Sequence, residues 1–131
     1  MNLLSRSVVL ASVFAATSCQ NSVQPDQSIA VGSYNLDSVS GDGPATGSFV
    51  LIPGGYAERR VRYRQGDGSL SAEYVTIGTF HVTDVQSLDI ALHENGSPYV
   101  WKQTATLADG ILSLGYPGPA DGWIVEMYKR Q

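Results

Sequence analysis

The chain has 131 residues, and eight Lys and Arg residues against twelve Asp and Glu residues give it a net charge of −4 at neutral pH. This length corresponds to a single domain. The acidic balance excludes a protein dominated by nucleic-acid binding, because such a protein needs a basic surface. The single cysteine, Cys19, excludes an internal disulfide and a zinc site built on several thiolates.

The first part of the chain, residues 1–18, has the pattern of an export signal. Arg6 precedes an apolar run, Ser7–Thr17, which is too short for a membrane core that requires about 20 residues. Small residues, Ala15–Ser18, then lead directly to Cys19. The array resembles the lipobox of bacterial lipoproteins, and the resemblance implies that cleavage makes Cys19 the acylated N-terminus.

Residues 19–28 predict a lipidated cysteine followed by a flexible tether. Gln20–Ser28 is polar, contains one proline and offers almost nothing to bury. Lipidation explains the lone thiol of Cys19, which is otherwise a liability in an oxidising compartment. An ordinary signal peptide, which would leave this thiol free, is the alternative. Because Gln20 stands where many inner-membrane lipoproteins have Asp, the resemblance implies an extracytoplasmic protein anchored to the outer membrane.

From Ile29 onward the sequence predicts strands throughout. Segments of alternating apolar and polar residues recur between Gly, Pro, Asn and Asp, and no stretch has the apolar spacing of a helix. The turn Gly66–Gly68 is typical of a hairpin, and Gly78 predicts a bulge or a sharp bend within its strand. The predicted strands cover about Val31–Val39, Gly47–Ile52, Tyr56–Gln65, Ser71–Thr83, Ser87–Leu92, Tyr99–Leu107, Ile111–Tyr116 and Trp123–Arg130.

Eight sequential strands joined by short turns favour an antiparallel meander. Closing the meander into a barrel buries its apolar face and removes its exposed edges. We therefore predict an all-β, eight-stranded antiparallel up-and-down barrel over residues 29–131, with a two-sheet sandwich as the alternative. The alternation predicts an inward-facing set that comprises Phe49, Leu51, Val61, Tyr63, Leu88, Ile90, Leu92, Trp101, Gln103, Ala105 and Leu107.

A series of short motifs resembles small bacterial lipocalin-like domains when the motifs are taken in order. The motifs are Gly32-Ser33-Tyr34-Asn35-Leu36, Ser38-Val39-Ser40-Gly41 with Pro44-Ala45, Gly47-Ser48-Phe49-Val50-Leu51, Gly55-Tyr56, Gly78-Thr79-Phe80, Leu88-Asp89-Ile90, Gly110-Ile111-Leu112-Ser113-Leu114 and Tyr128-Lys129-Arg130. The resemblance spans about Gly32–Arg130. It implies a lipocalin-like barrel carried by an exported lipoprotein, which we expect to be a monomer.

The sequence offers little for catalysis. It contains no Gly-x-Ser-x-Gly motif, and His81 and His93 lie in or beside predicted strands. These histidines with Asp84 and Asp89 form the best metal constellation, but the alternation turns His93 away from the inward-facing leucines. We interpret both histidines as surface residues. We therefore predict no enzymatic activity, no metal, no cofactor and no nucleic-acid partner.

The third predicted strand carries a cluster of arginines around Val61. Alternation places Arg60, Arg62 and Arg64 on the outer face and Arg59 on the inner face. We expect Glu73 on the next strand to neutralise part of the outer stripe. As alternatives, the stripe contacts anionic lipid or polysaccharide, or the faces are inverted and the stripe lines the lumen to clamp a carboxylate.

These observations lead to two hypotheses for function. In the first, the barrel mouth binds a small apolar or amphiphilic ligand through Trp101, Tyr63, Phe49 and Arg59, held mainly by burial at about 25 cal/mol per Å². In the second, the barrel is packed and acts as a cell-envelope interaction module, through the outer arginines and loops such as Tyr116–Trp123.

Overall fold

Eight strands form one closed antiparallel sheet in the computed structural model, which describes residues 25–131. Each strand pairs with the next in the chain, and the last pairs with the first. The predicted up-and-down barrel is confirmed, and the sandwich is wrong because there is a single sheet. The strands are β1 (Gly32–Ser40), β2 (Thr46–Ile52), β3 (Tyr56–Arg62), β4 (Tyr74–Asp84), β5 (Ser87–Glu94), β6 (Trp101–Ala108), β7 (Ile111–Pro117) and β8 (Trp123–Arg130).

The predictions for the export signal and for Cys19 lie outside the described residues. Within residues 25–131, no helix is long and apolar enough to cross a membrane.

The strand ends agree with the predicted ones to within a few residues, and the largest differences flank the predicted hairpin turn. There β3 ends at Arg62 and β4 begins at Tyr74, with an isolated bridge between Arg64 and Leu70. The Ser71 hydroxyl accepts the backbone N–H of Tyr63 at 2.9 Å. The Ser71 N–H in turn donates to the Tyr63 carbonyl at 2.8 Å, so the two strands continue as an irregular pairing beyond their regular ends.

The interior is filled by the side chains that the alternation of apolar and polar residues predicted to face inward. Phe49, Leu51, Leu88, Ile90 and Leu92 are each at most 1% exposed. The remaining inward-facing residues of the prediction are buried at Val61, Ala105 and Leu107 and half-buried at Tyr63, Trp101 and Gln103. Further large residues outside this predicted set are also fully buried, among them Tyr34, Leu112, Leu114 and Tyr128.

A short 3₁₀ helix, Gln27–Ala30, packs at the end of the barrel where β1 begins, here called the basal end. The Gln27 amide donates to the Val82 carbonyl at 3.0 Å and accepts the Val82 N–H at 2.6 Å. The Tyr34 hydroxyl donates to the Ala30 carbonyl at 2.7 Å. Gln27 and Ser28, which the sequence placed in the tether, therefore belong to a helix fixed to the barrel. The opposite end is the distal end.

The bulge predicted at Gly78 is wrong. Pairing of β4 with β5 runs without a shift through Gly78, and the register shift lies between Val82 and Asp84. A Cβ atom at Gly78 would lie 1.8 Å from the carbonyl oxygen of Ala91. Glycine is needed here because the two backbones approach closely, which is the other reason for a glycine inside a strand.

We expect Gly78→Ala to reduce the free energy of unfolding by about 1–3 kcal/mol or more, because the β4 and β5 backbones must separate. Gly66→Ala is the matched control, since a Cβ there meets no atom within 4 Å, and it should stay within about 1 kcal/mol of the wild type. Urea denaturation of the three proteins measures the difference. Equal stability of the two variants would contradict the close approach.

Candidate functional site

A buried ion pair crosses the barrel interior between β3 and β8. Arg59 Nε donates to Glu126 Oε1 at 3.1 Å, and Arg59 Nη2 donates to Glu126 Oε2 at 2.6 Å. Glu126 is 0% exposed and Arg59 is 7% exposed. The two-point geometry is the strongest that a guanidinium and a carboxylate can form. Such geometry is needed here, because burying a charge without a partner costs several kcal/mol.

Two tyrosines complete the environment of the carboxylate. The hydroxyls of Tyr116 and Tyr128 both donate to Glu126. Burial, together with the negative charge of Glu126, raises the pKa of both hydroxyls well above the usual value near 10. Both tyrosines therefore keep their protons and remain donors to the carboxylate.

Trp101 covers the ion pair from β6. The Arg59 guanidinium carbon lies 5.3 Å from the centroid of the Trp101 ring, within cation–π distance. The same ring packs edge-to-face on Tyr116, with 5.3 Å between centroids. We call these five residues the ion-pair cluster: Arg59, Trp101, Tyr116, Glu126 and Tyr128.

With one exception, the buried polar side-chain atoms of residues 25–131 have hydrogen-bond partners. Among the residues that the structure describes, Thr76 Oγ1 is the single buried side-chain nitrogen or oxygen without a hydrogen-bond partner. Thr76 lies beside Arg59 in the register of β3 and β4. The ion-pair cluster therefore needs no bound molecule to compensate its charges.

Three of the four residues predicted to contact a ligand, Arg59, Trp101 and Phe49, lie together at the ion-pair cluster, since Phe49 is the partner of Arg59 in the register of β2 and β3. Arg59 and Trp101 contact each other. Tyr63 instead packs edge-to-face on Tyr74, with 5.7 Å between centroids. Phe49 is fully buried and packs in the same way on Tyr128, at 5.3 Å.

The sequence analysis missed the partner of Arg59. A signal for it was present, because Ile124, Glu126 and Tyr128 share one face of the last predicted strand. An acidic residue between two inward-facing apolar positions requires a buried partner. Arg59 was the basic residue that alternation had placed inside.

The outer arginines face outward, and the alternative with inverted faces is wrong because it is Arg59 that faces the interior. Arg60 contacts Glu58 and also Glu73, the latter at 2.9 Å, as the sequence predicted for Glu73. The two other side chains, Arg62 and Arg64, donate to backbone carbonyls of the β3–β4 connection. The stripe therefore holds this connection in place.

The two histidines do not form a metal site. His81 is exposed and lies opposite Asp89 in the register of β4 and β5, while His93 is half-buried. Within residues 25–131, no three His, Cys, Asp or Glu side chains are arranged to hold a metal ion.

Large apolar side chains are exposed at the distal end. Tyr99, which is 79% exposed, and Val100 lie on the β5–β6 connection, and Leu70 and Tyr74 lie at the β3–β4 connection. These two connections are adjacent because β4 pairs with β5. We call these four residues the distal rim.

Comparison with known proteins gives no relative: no family model, no curated protein and no solved structure matches the chain significantly.

The raised tyrosine pKa values predict a loss of stability above about pH 10, where tyrosines of the unfolded chain ionise. Folded Tyr116 and Tyr128 keep their protons there, so the unfolded state binds fewer protons than the folded state. For the fully buried Tyr128, the free energy of unfolding should fall by up to about 1.4 kcal/mol per pH unit. Urea denaturation across this range, with tyrosinate absorbance as a second probe, measures the slope.

The Tyr128→Phe variant supplies the control. It is expected to be less stable than the wild type at neutral pH and to have a shallower alkaline loss. A slope identical to that of the wild type would show that Tyr128 does not keep its proton in the folded state.

Proposed function

We propose that this protein is a lipid-anchored module of the cell envelope, in which a lipocalin-like barrel is a filled scaffold and the distal rim binds a partner protein. One observation carries the proposal: the barrel interior is occupied by its own side chains, whereas the four large apolar side chains of the distal rim lie exposed on two adjacent connections. Clustered exposed apolar residues on a soluble domain are typical of an interaction surface.

The filled interior favours this function over a small ligand in the barrel mouth. A ligand that reached Arg59 would compete with both of its hydrogen bonds to Glu126. Breaking a buried ion pair costs about 3–5 kcal/mol, which the ligand would have to recover. Binding of a small apolar or amphiphilic ligand stays a prediction from the sequence.

The direction in which the chain enters the barrel indicates which end faces the membrane. The described chain begins beside the basal end, and the stretch from Cys19 to Pro25 spans at most about 20 Å when fully extended. Acylation of Cys19, which rests on the resemblance to a lipobox, would therefore hold the basal end towards the membrane. The distal rim would face the aqueous compartment, where a protein is the partner that it can reach.

The composition of the distal rim suits a protein interface. Tyrosine is enriched at the residues that contribute most binding energy, because it combines a large apolar surface with few rotatable bonds. Tyr99 and Val100 are exposed and add nothing to the core. Truncating them should therefore weaken binding without unfolding the barrel.

Site-specific photocrosslinking in cells that export the protein tests this proposal. A photoreactive phenylalanine analogue replaces Tyr99 at the distal rim or, as the control, Val85 in the β4–β5 turn at the basal end, since both are 79% exposed. We expect a discrete protein adduct from position 99 and not from position 85. In the protein labelled at position 99, the further substitutions Leu70→Ala and Val100→Ala at exposed positions of the distal rim should reduce the adduct about tenfold or more.

Two outcomes of this experiment would contradict the proposal. The same adducts from positions 99 and 85, or adducts from position 99 that consist of lipid alone, would contradict a protein partner at the distal rim.

A further inference from the structure

A groove of about 580 Å³ lies on the outer surface of the barrel, apart from the distal rim and the ion-pair cluster. Its position follows from alternation: most of its lining residues stand at exposed or half-buried outward positions of β4, β5 and β6, whereas Phe80, Ile90 and Gln103 stand at inward positions of the same strands. The outward residues are Thr79, His81, Asp89, Ala91, Lys102 and Thr104, and Gly115 on β7 completes the lining. This volume is typical of sites for small molecules, which range over about 300–1,000 Å³.

The groove combines apolar surface with hydrogen-bonding side chains, and the charges of Asp89 and Lys102 have opposite signs. His81, Asp89 and Thr104 are consecutive partners across β4, β5 and β6, and the Thr104 hydroxyl donates to Asp89 at 3.2 Å. Lys102 supplies the one positive charge that offsets Asp89. The lining therefore both donates and accepts hydrogen bonds without a net charge, which matches an uncharged ligand rich in hydroxyl groups.

An exposed indole lies at the edge of this groove. Trp123 on β8 packs over Gly115, where a Cβ atom would lie 3.0 Å from the indole Nε1 and 3.1 Å from Cζ2. Because Gly115 has no side chain, the indole can lie flat on the outer face of β7. Trp123 is nevertheless 59% exposed, so much of the indole remains free to contact a ligand.

We propose that this groove binds an uncharged oligosaccharide. A pyranose ring has a face of C–H groups and a periphery of hydroxyls. The C–H face would stack on Trp123, and the hydroxyls would bond Asp89, Thr104 and His81. This site is separate from the distal rim, so it does not rest on the proposed protein partner.

Isothermal titration of the purified protein with two oligosaccharide series tests the proposal. N-acetylglucosamine oligomers represent the glycan strands of a cell wall, and neutral hexose oligomers represent a secreted or surface polysaccharide. We expect saturable binding of at least one series, with Kd between about 1 μM and 1 mM. The series that binds more tightly identifies the source of the glycan.

Variants distinguish the groove from other surfaces. Trp123→Ala and Asp89→Ala should each weaken binding about tenfold or more, and Trp123→Phe should retain most of it. Ile52→Ala is the control, because Ile52 is an exposed apolar residue on β2, two strands from the nearest strand of the groove, and it should leave binding unchanged. Absence of binding by both series, or equal Kd values for the wild type, Trp123→Ala and Asp89→Ala, would overturn the proposal.

Discussion

The rest of the structure depends on the ion pair between Arg59 and Glu126. The two residues are 67 positions apart in the chain, and they meet only because β8 closes the sheet onto β1. Because both side chains are buried, water cannot hydrate either charge, and each charge is stabilised by the other. The hydroxyls of Tyr116 and Tyr128 supply the remaining donors to the carboxylate. Around Glu126 the barrel interior is therefore polar, and the carboxylate is paired there with the guanidinium and the two hydroxyls. The rest of the interior is mainly apolar.

Because side chains fill the interior, a partner or ligand can contact only the outer surface of the barrel. Three regions of that surface differ in chemistry: the Gln27–Ala30 helix packs at the basal end, the distal rim exposes four large apolar side chains, and the groove on β4–β7 combines apolar surface with hydrogen-bonding side chains. The position of the basal end follows from where the chain enters the barrel, and that of the distal rim follows from where the β3–β4 and β5–β6 connections lie. The groove arises from small residues at outward positions of neighbouring strands, namely Ala91 and Gly115. One rigid scaffold can in this way present two independent binding surfaces.

Much of the fold could be predicted from the sequence, because the alternation that marks a strand and its inward face is a pattern of neighbouring residues. Alternation in Ser87–Leu92 fixed the inward face of that strand, and alternation around Val61 separated Arg59 from the outer arginines. The partner of Arg59 could not be found in the same way, since it depends on the register of a distant strand. Gly78 shows the same limit. The sequence marks the glycine, whereas the reason for it, the carbonyl of Ala91, lies on another strand.

The contacts of Gln27 were also beyond prediction. The polar character of Gln20–Ser28 assigns Gln27 to the tether. In the structure, however, its side-chain amide forms hydrogen bonds with both the N–H and the carbonyl of Val82. The groove was missed for a related reason, because it needs four strands side by side before its polar residues face one ligand. Local periodicity thus predicts which way a side chain points, and only the closed sheet shows what it meets.

A double-mutant cycle on the ion pair tests the central claim most directly. Arg59→Met and Glu126→Gln should each reduce the free energy of unfolding by about 3–5 kcal/mol, because each leaves one polar partner buried alone. The double variant should lose less than the sum of the two, with a coupling energy of about 1–3 kcal/mol. Additive losses, or single losses below about 1 kcal/mol, would show that water reaches both groups and that the interior is not filled.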